Sequence, residues 1–145
     1  MKLLFKRVAS PAICNAAWEG LQISCSVEGE NLRNLHQKNV AYMKTLLLDY
    51  FPDHEEIFEK SNHIIPVFIN DAKKVDLVQR KMLRHDHYCQ AINSPTVPKG
   101  SERLRIVVTP QHDQGQIQRF VRDLVDSIEE VNAVEGSMKF LDGRR

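Results

Sequence analysis

The chain has 145 residues, enough for one domain of ordinary size. An apolar share of 42% and a charged share of 27% are those of a globular protein, and no run nears the roughly 18 apolar residues a membrane helix needs, so no membrane span is expected. A net charge of +1 supplies no general attraction to nucleic acid, which is not an expected partner.

The first eighteen residues carry Lys2, Lys6 and Arg7 and no acid, faintly like an organellar transit segment. Pro11 to Leu21 has helix-spaced large residues among alanines and reads as a weak helix. Ser26 is placed to cap the next helix, with Glu28 and Glu30 suited to its N-terminus. In that helix Leu32, Leu35, Asn39, Met43, Leu46, Leu47 and Tyr50 recur near one face, and Pro52 ends it. Phe51 to Lys60 reads as an acidic loop.

Ile64 to Ile69 is β-branched and short, a strand whose Pro66 demands an edge or a bulge. Asn70 or Asp71 caps a helix with Ala72, Val75, Val78 and Met82 on its buried side. Tyr88 to Ile92 reads as a second strand and Leu104 to Val108 as a third, expected to pair antiparallel across the proline-rich turn Asn93 to Gly100. The strongest helical pattern comes last, in Ile117, Phe120, Val121, Leu124, Ile128 and Val131. From Asn132 the sequence turns polar and is expected to fray.

This order predicts an α+β fold, a small, mostly antiparallel sheet covered by helices on one side. It divides into an N-terminal segment (1–30), a small domain (31–131) and a polar tail (132–145). Cys14, Cys25 and Cys89 form no CxxC pair, and their odd number argues for a reducing compartment rather than a disulfide framework. His85-Asp86-His87-Tyr88-Cys89 contains metal-ligand types, but a strand pair without a second pair elsewhere reads as incidental, and no metal is expected. His85 and Asp86 suit the polar end of a helix.

Ser61-Asn62-His63-Ile64-Ile65-Pro66-Val67, Gln90 to Gly100 (QAINSPTVPKG), and Glu102-Arg103-Leu104-Arg105 with Thr109-Pro110 and His112 fall in the order seen in 5-aminolevulinate synthases. His36-Gln37-Lys38-Asn39-Val40 and Pro11-Ala12-Ile13-Cys14 add to the match, which spans roughly residues 10 to 131. The chain thus resembles the C-terminal part of that family of pyridoxal-phosphate (PLP) α-oxoamine synthases. His63-Ile64-Ile65-Pro66 with Gln90-Ala91-Ile92-Asn93 favours this branch over glycine C-acetyltransferase and 8-amino-7-oxononanoate synthase, which remain alternatives.

The resemblance implies the small C-terminal domain of the aminotransferase-like (fold type I) architecture. It implies a homodimeric acyltransferase that condenses glycine with succinyl-CoA to 5-aminolevulinate, releasing CoA and carbon dioxide, in haem synthesis. Its location would be the mitochondrial matrix in a eukaryote or the cytoplasm in a bacterium. Arg105 occupies the family position that holds the glycine carboxylate, a task suited to a guanidinium fork. Thr96 occupies the position that meets the succinyl carboxylate, on a loop stiffened by Pro95 and Pro98.

Two departures stand out. Ser94 stands where most members have tyrosine, and Lys6-Arg7-Val8-Ala9-Ser10 replaces the stretch whose threonine reaches the cofactor phosphate. The Schiff-base lysine lies further upstream in the family, and none of Lys38, Lys44, Lys60, Lys73, Lys74, Lys81 or Lys99 takes its position. This chain is therefore expected to hold no PLP and to be inactive alone. A truncated, non-enzymatic paralogue or interaction module is the alternative, and an unrelated α+β ligand-binding domain a third.

Overall fold

A computed structural model describes residues 10–60 and 62–142, with side chains described through Val134. The transit-like stretch 1–9, Ser61 of the first motif and the last three tail residues lie outside the described residues. The chain divides into two compact units at the Leu35–His36 junction, inside one helix.

In the first unit, helix α1 (Pro11–Cys25) starts at Ser10, whose Oγ accepts from the Ile13 N–H, with Pro11 in the first turn where a missing N–H costs nothing. Ser26 serves both helices. Its hydroxyl donates to the Ile23 carbonyl at 2.7 Å and accepts from the Gly29 N–H, capping α2 (Val27–Tyr50) as expected. Glycine is required at position 29, where a Cβ would sit 2.3 Å from the Ile23 carbonyl oxygen. None of the residues of α1 is buried, and Ile13, Trp18 and Leu21 are exposed.

The second unit contains the sheet. In α2, Asn39, Met43 and Leu47 are buried and Leu46 is half-buried, while Tyr50, expected on the same face, is exposed. Phe51 to Lys60 is not a loop. Pro52–His54 forms a 3-10 turn and Glu55–Lys60 a short helix, α3, which buries Phe58. Beyond Ile64–Phe68 (β1), Asp71 caps α4 (Ala72–Arg84) by accepting from the Lys74 N–H at 2.9 Å. Val75, Val78 and Met82 are buried in α4 as expected, but Ala72, in the first turn, is exposed.

Gln90–Ile92 (β2) and Arg103–Val107 (β3) complete a sheet of order β1-β3-β2, with both pairings antiparallel. Pro66 thus lies on an edge strand, where its missing donor is tolerated. Strand alternation buries Ile65, Val67, Leu104 and Ile106 on one face. Helix α5 (Gln114–Asp142) adds Ile117, Val121, Leu124 and Val131, with Phe120 and Ile128 half-buried, at about 1.5–3 kcal/mol for each fully buried large side chain. Helix α5 runs on past Asn132, where the apolar period stops, to Asp142. Among the described residues no helix is long and apolar enough to cross a membrane.

Candidate functional site

The opposite face of the sheet carries Ile64, Pro66 and Phe68 from β1, Arg103, Arg105 and Val107 from β3, and Gln90 and Ile92 from β2. This follows from alternation, since their neighbours Leu104 and Ile106 point into the core. Arg105 is exposed and sits between Pro66 on one side and Gln90 on the other.

Beyond β2 the chain enters the proline-rich turn, which is fixed at both ends. Asn93 accepts from the Thr96 N–H at 3.0 Å through its carbonyl, and its side-chain amide donates to Asp76 Oδ1 on α4 at 2.8 Å. At the far end, buried Glu102 accepts the Gly100 N–H at 2.8 Å. Gly100 has φ of 84°, a conformation that side chains disfavour, which explains glycine there. Thr96 is exposed on this turn, and Ser94, the residue that departs from the family tyrosine, is exposed beside it.

Arg105 and Thr96 both line one groove of about 630 Å³, whose wall is formed by Ile57, Ile64, Pro66, Ile92 and Val97. Lys60 and Arg103 line it as well, and no acidic side chain does. A groove with apolar walls and an excess of cations suits a small carboxylate ligand. Arg103 is anchored over the Phe68 ring, 4.4 Å from its centroid, and its Nε–H donates to the Ser101 carbonyl at 3.0 Å. Strand alternation places Arg103 on the same face as Arg105, but its fixing by Phe68 needs the cross-strand register of β1 and β3.

Two other motif pieces hold the fold together. His36 Nε2–H donates to the Val108 carbonyl at 3.0 Å, and Asn39 donates to the carbonyls of Thr109 and His112. His112 Nδ1 accepts from the Thr109 N–H at 3.1 Å, which closes the Thr109–His112 turn on itself. In the His85–Cys89 segment, His87 pairs with Asp123 at 3.0 Å and Cys89 is buried. A second cavity, of about 440 Å³, lies beside His85, His87 and His112 and contains neither Arg105 nor Thr96.

Comparison with profiles of known families gives no match. Against curated proteins, the chain is 40% identical over 124 residues to the non-specific mitochondrial 5-aminolevulinate synthase of Bos taurus, covering 84% of this chain and 18% of the bovine one. It is 36% identical over 130 residues to the erythroid-specific mitochondrial enzyme of Danio rerio, covering 88% of this chain and 22% of that one. The chain thus spans about a fifth of the length of the curated relatives it matches. Among solved structures, a serine palmitoyltransferase with a PLP internal aldimine superposes with a TM-score of 0.74 at 15% identity, over 88% of this chain and 31% of that one. The 8-amino-7-oxononanoate synthase of Francisella tularensis superposes at 0.70 with 19% identity, over 87% and 35%.

The groove of this chain does not fit PLP by itself. An aldimine needs a desolvated lysine amine, but the lysine lining the groove, Lys60, is 74% exposed and ion-paired with Glu56. No step through the cofactor is assigned to these residues. The motif register, the sheet topology and the identity over most of the chain agree: the chain is related to the C-terminal part of the 5-aminolevulinate synthases and has the fold of the corresponding part of fold type I PLP enzymes.

Proposed function

We propose that this chain supplies the substrate-carboxylate site of a 5-aminolevulinate synthase, which condenses glycine with succinyl-CoA and releases CoA and carbon dioxide. What supports the reading is that Arg105 and Thr96 line one groove, rich in cations and lined by no acidic side chain, in a chain 40% identical to the bovine synthase. Arg105 grips the glycine carboxylate through its planar fork and so fixes the orientation of the bonds at the glycine α-carbon. Thr96, held on a turn pinned at Asn93 and Glu102, donates its hydroxyl to the succinyl carboxylate.

PLP and the Schiff-base lysine belong to the remainder of the enzyme, so this chain alone forms no 5-aminolevulinate. The complete enzyme is a homodimer in the mitochondrial matrix of a eukaryote, as the mitochondrial relatives suggest, or in the cytoplasm of a bacterium. A second reading, a non-enzymatic module that docks on a synthase subunit, is favoured by α1, which leaves Ile13, Trp18 and Leu21 exposed.

The test is a graft: the matching 124 residues of the bovine enzyme are replaced by those of this chain. The chimaera should make 5-aminolevulinate, and Arg105→Ala should raise its glycine KM about tenfold or more, the worth of a charged hydrogen-bonded pair. An unchanged KM removes Arg105 from the substrate. A folded, PLP-bound but inactive chimaera favours the docking module.

A further inference from the structure

The second cavity, of about 440 Å³, shares no lining residue with the groove. It opens where the sheet falls short. β3 runs to Val107, but β2 pairs with it only as far as Arg105, so Ile106 and Val107 have no strand partner on that side. The cause lies at the end of α4. The His87 N–H donates to the Met82 carbonyl at 2.9 Å and Asp86 takes φ of 61°, a left-handed cap that turns the chain aside before β2 starts. Glycine is the usual residue at such a cap, whereas here the cap sets a carboxylate in the cavity wall.

Floor and rim differ in chemistry. Met43, Ile106, Ile117 and Phe120 make the floor apolar, and Phe120 meets the His87 ring edge to face with centroids 5.3 Å apart. Tyr88 also lines the cavity although it is 79% exposed, an aromatic surface left to water. The rim along the start of α5 presents donors. His112 Nδ1 accepts from the Thr109 N–H, which in the neutral ring leaves the hydrogen on Nε2. Gln116 Oε1 accepts from the Asp113 N–H at 2.9 Å, which leaves its amino group to donate elsewhere. Arg119 forms no ion pair among the described residues.

A guanidinium and two neutral donors above an apolar floor suit a carboxylate with a hydrophobic body. Arg119 is the one permanent cation in the lining and Asp86 the one acid, so a second negative charge on the ligand would meet Asp86 with nothing to offset it. We propose that this cavity binds an aromatic monocarboxylate, its carboxylate held by Arg119, His112 and Gln116 and its ring laid against Phe120 and Tyr88. Asp86 acts against dianions such as phosphate esters. The assignment uses none of the groove residues and does not depend on the groove being a substrate site.

The probe is hydrocinnamate, a phenyl ring on a short acid, titrated into this chain while NMR follows the Arg119 Nε–H and the amides of Gln116 and Tyr88. Each signal should shift saturably, whereas the Gly100 amide, in the turn beside the groove, should stay in place. Neutral hydrocinnamamide, ringless hexanoate and dianionic phenyl phosphate should each bind about threefold or more weakly. Arg119→Gln should weaken hydrocinnamate about fivefold, the upper end for an exposed ion pair, and Arg119→Lys should recover part of the loss. Tyr88→Ala should cost about threefold, the worth of one aromatic contact. Asp86→Asn should narrow the gap between hydrocinnamate and phenyl phosphate. Arg119, Tyr88 and Asp86 are exposed, so these variants keep the fold. The absence of a saturable shift overturns the proposal, as does a response at Gly100 in place of Gln116. So does an amide, a hexanoate or a phenyl phosphate that binds as tightly as hydrocinnamate, or an Arg119→Gln variant within about twofold of the parent.

Discussion

The Asn39 side chain on α2 donates to the His112 carbonyl at 2.7 Å, joining residues 73 positions apart. The same amide reaches the Thr109 carbonyl at 3.1 Å and lies 3.5 Å from that of Pro110, so one buried group holds the turn that leads from β3 into α5. Replacement by leucine leaves these carbonyls without their donor. Asn39→Leu should cost about 1–3 kcal/mol in urea unfolding. Asn39→Asp should cost more, because it turns a carboxylate toward carbonyl oxygens. Unchanged midpoints for both variants would show that water replaces the amide without loss.

This latch also marks the limit of what the sequence reveals. The repeating apolar positions of α4 and α5 are legible because each helix buries a stripe at its own period, and Pro66 announces an edge strand by lacking a donor. Short elements are not legible in this way: α3 spans Glu55–Lys60, too few residues for a period to emerge, and so reads as a loop. Strand β2 begins at Gln90 rather than Tyr88 because the chain is still turning at Asp86, whose φ is 61°. Asn39 falls on the buried stripe of α2, but its partners lie across the fold and no local pattern names them. The separate roles of Arg105 and Thr96 rest on the family resemblance, whereas strand alternation alone puts Arg103 on the face of Arg105.

His87 and Asp123 form another long-range polar pair, at 3.0 Å between α5 and the segment before β2. Burial raises the Asp123 carboxyl, but hydrogen bonds from His87 and Arg122, together with their charges, outweigh it and hold the group below its ordinary value of 3.8. A carboxyl depressed in the folded state stabilises the fold above its unfolded pKa and loses that contribution as pH falls through the folded value. The stability gap between the parent and Asp123→Asn should therefore be full at pH 6 and should shrink below about pH 4. Unfolding free energies at pH 6, 4 and 3 check this, and a gap constant with pH excludes the ion pair as its source.

Burial of Cys89 pushes its thiol up to about 11, whereas Cys14 and Cys25 are exposed. The thiolate is the reactive form, so at pH 8 an aromatic disulfide reagent should label the two exposed cysteines quickly and Cys89 only as the fold opens. Labelling of Cys89 should follow unfolding when urea is added. Because the folded thiol is raised, the fold also loses stability as pH climbs from the ordinary thiol range toward 11. Cys89→Ala should remove that alkaline loss, at the expense of a small cavity. Equal labelling rates for all three thiols in the native protein would contradict the burial of Cys89.

His54 sits within 5.6–6.0 Å, ring centroid to ring centroid, of Phe51, Phe58 and Phe68, and both its ring nitrogens are buried with no hydrogen-bond partner among the described residues. A buried polar atom without a partner carries its full desolvation cost, about 1–3 kcal/mol, and an apolar side chain of similar size avoids it. His54→Leu should therefore stabilise this chain by about 1 kcal/mol in urea unfolding. The same ring backs Phe68, on which Arg103 lies, so the substitution also tests whether the wall of the groove depends on an aromatic stack. A more stable variant with an unmoved Arg103 Nε–H signal assigns His54 to packing alone. A destabilised variant shows that the imidazole has a hydrogen-bond partner in solution, such as an ordered water.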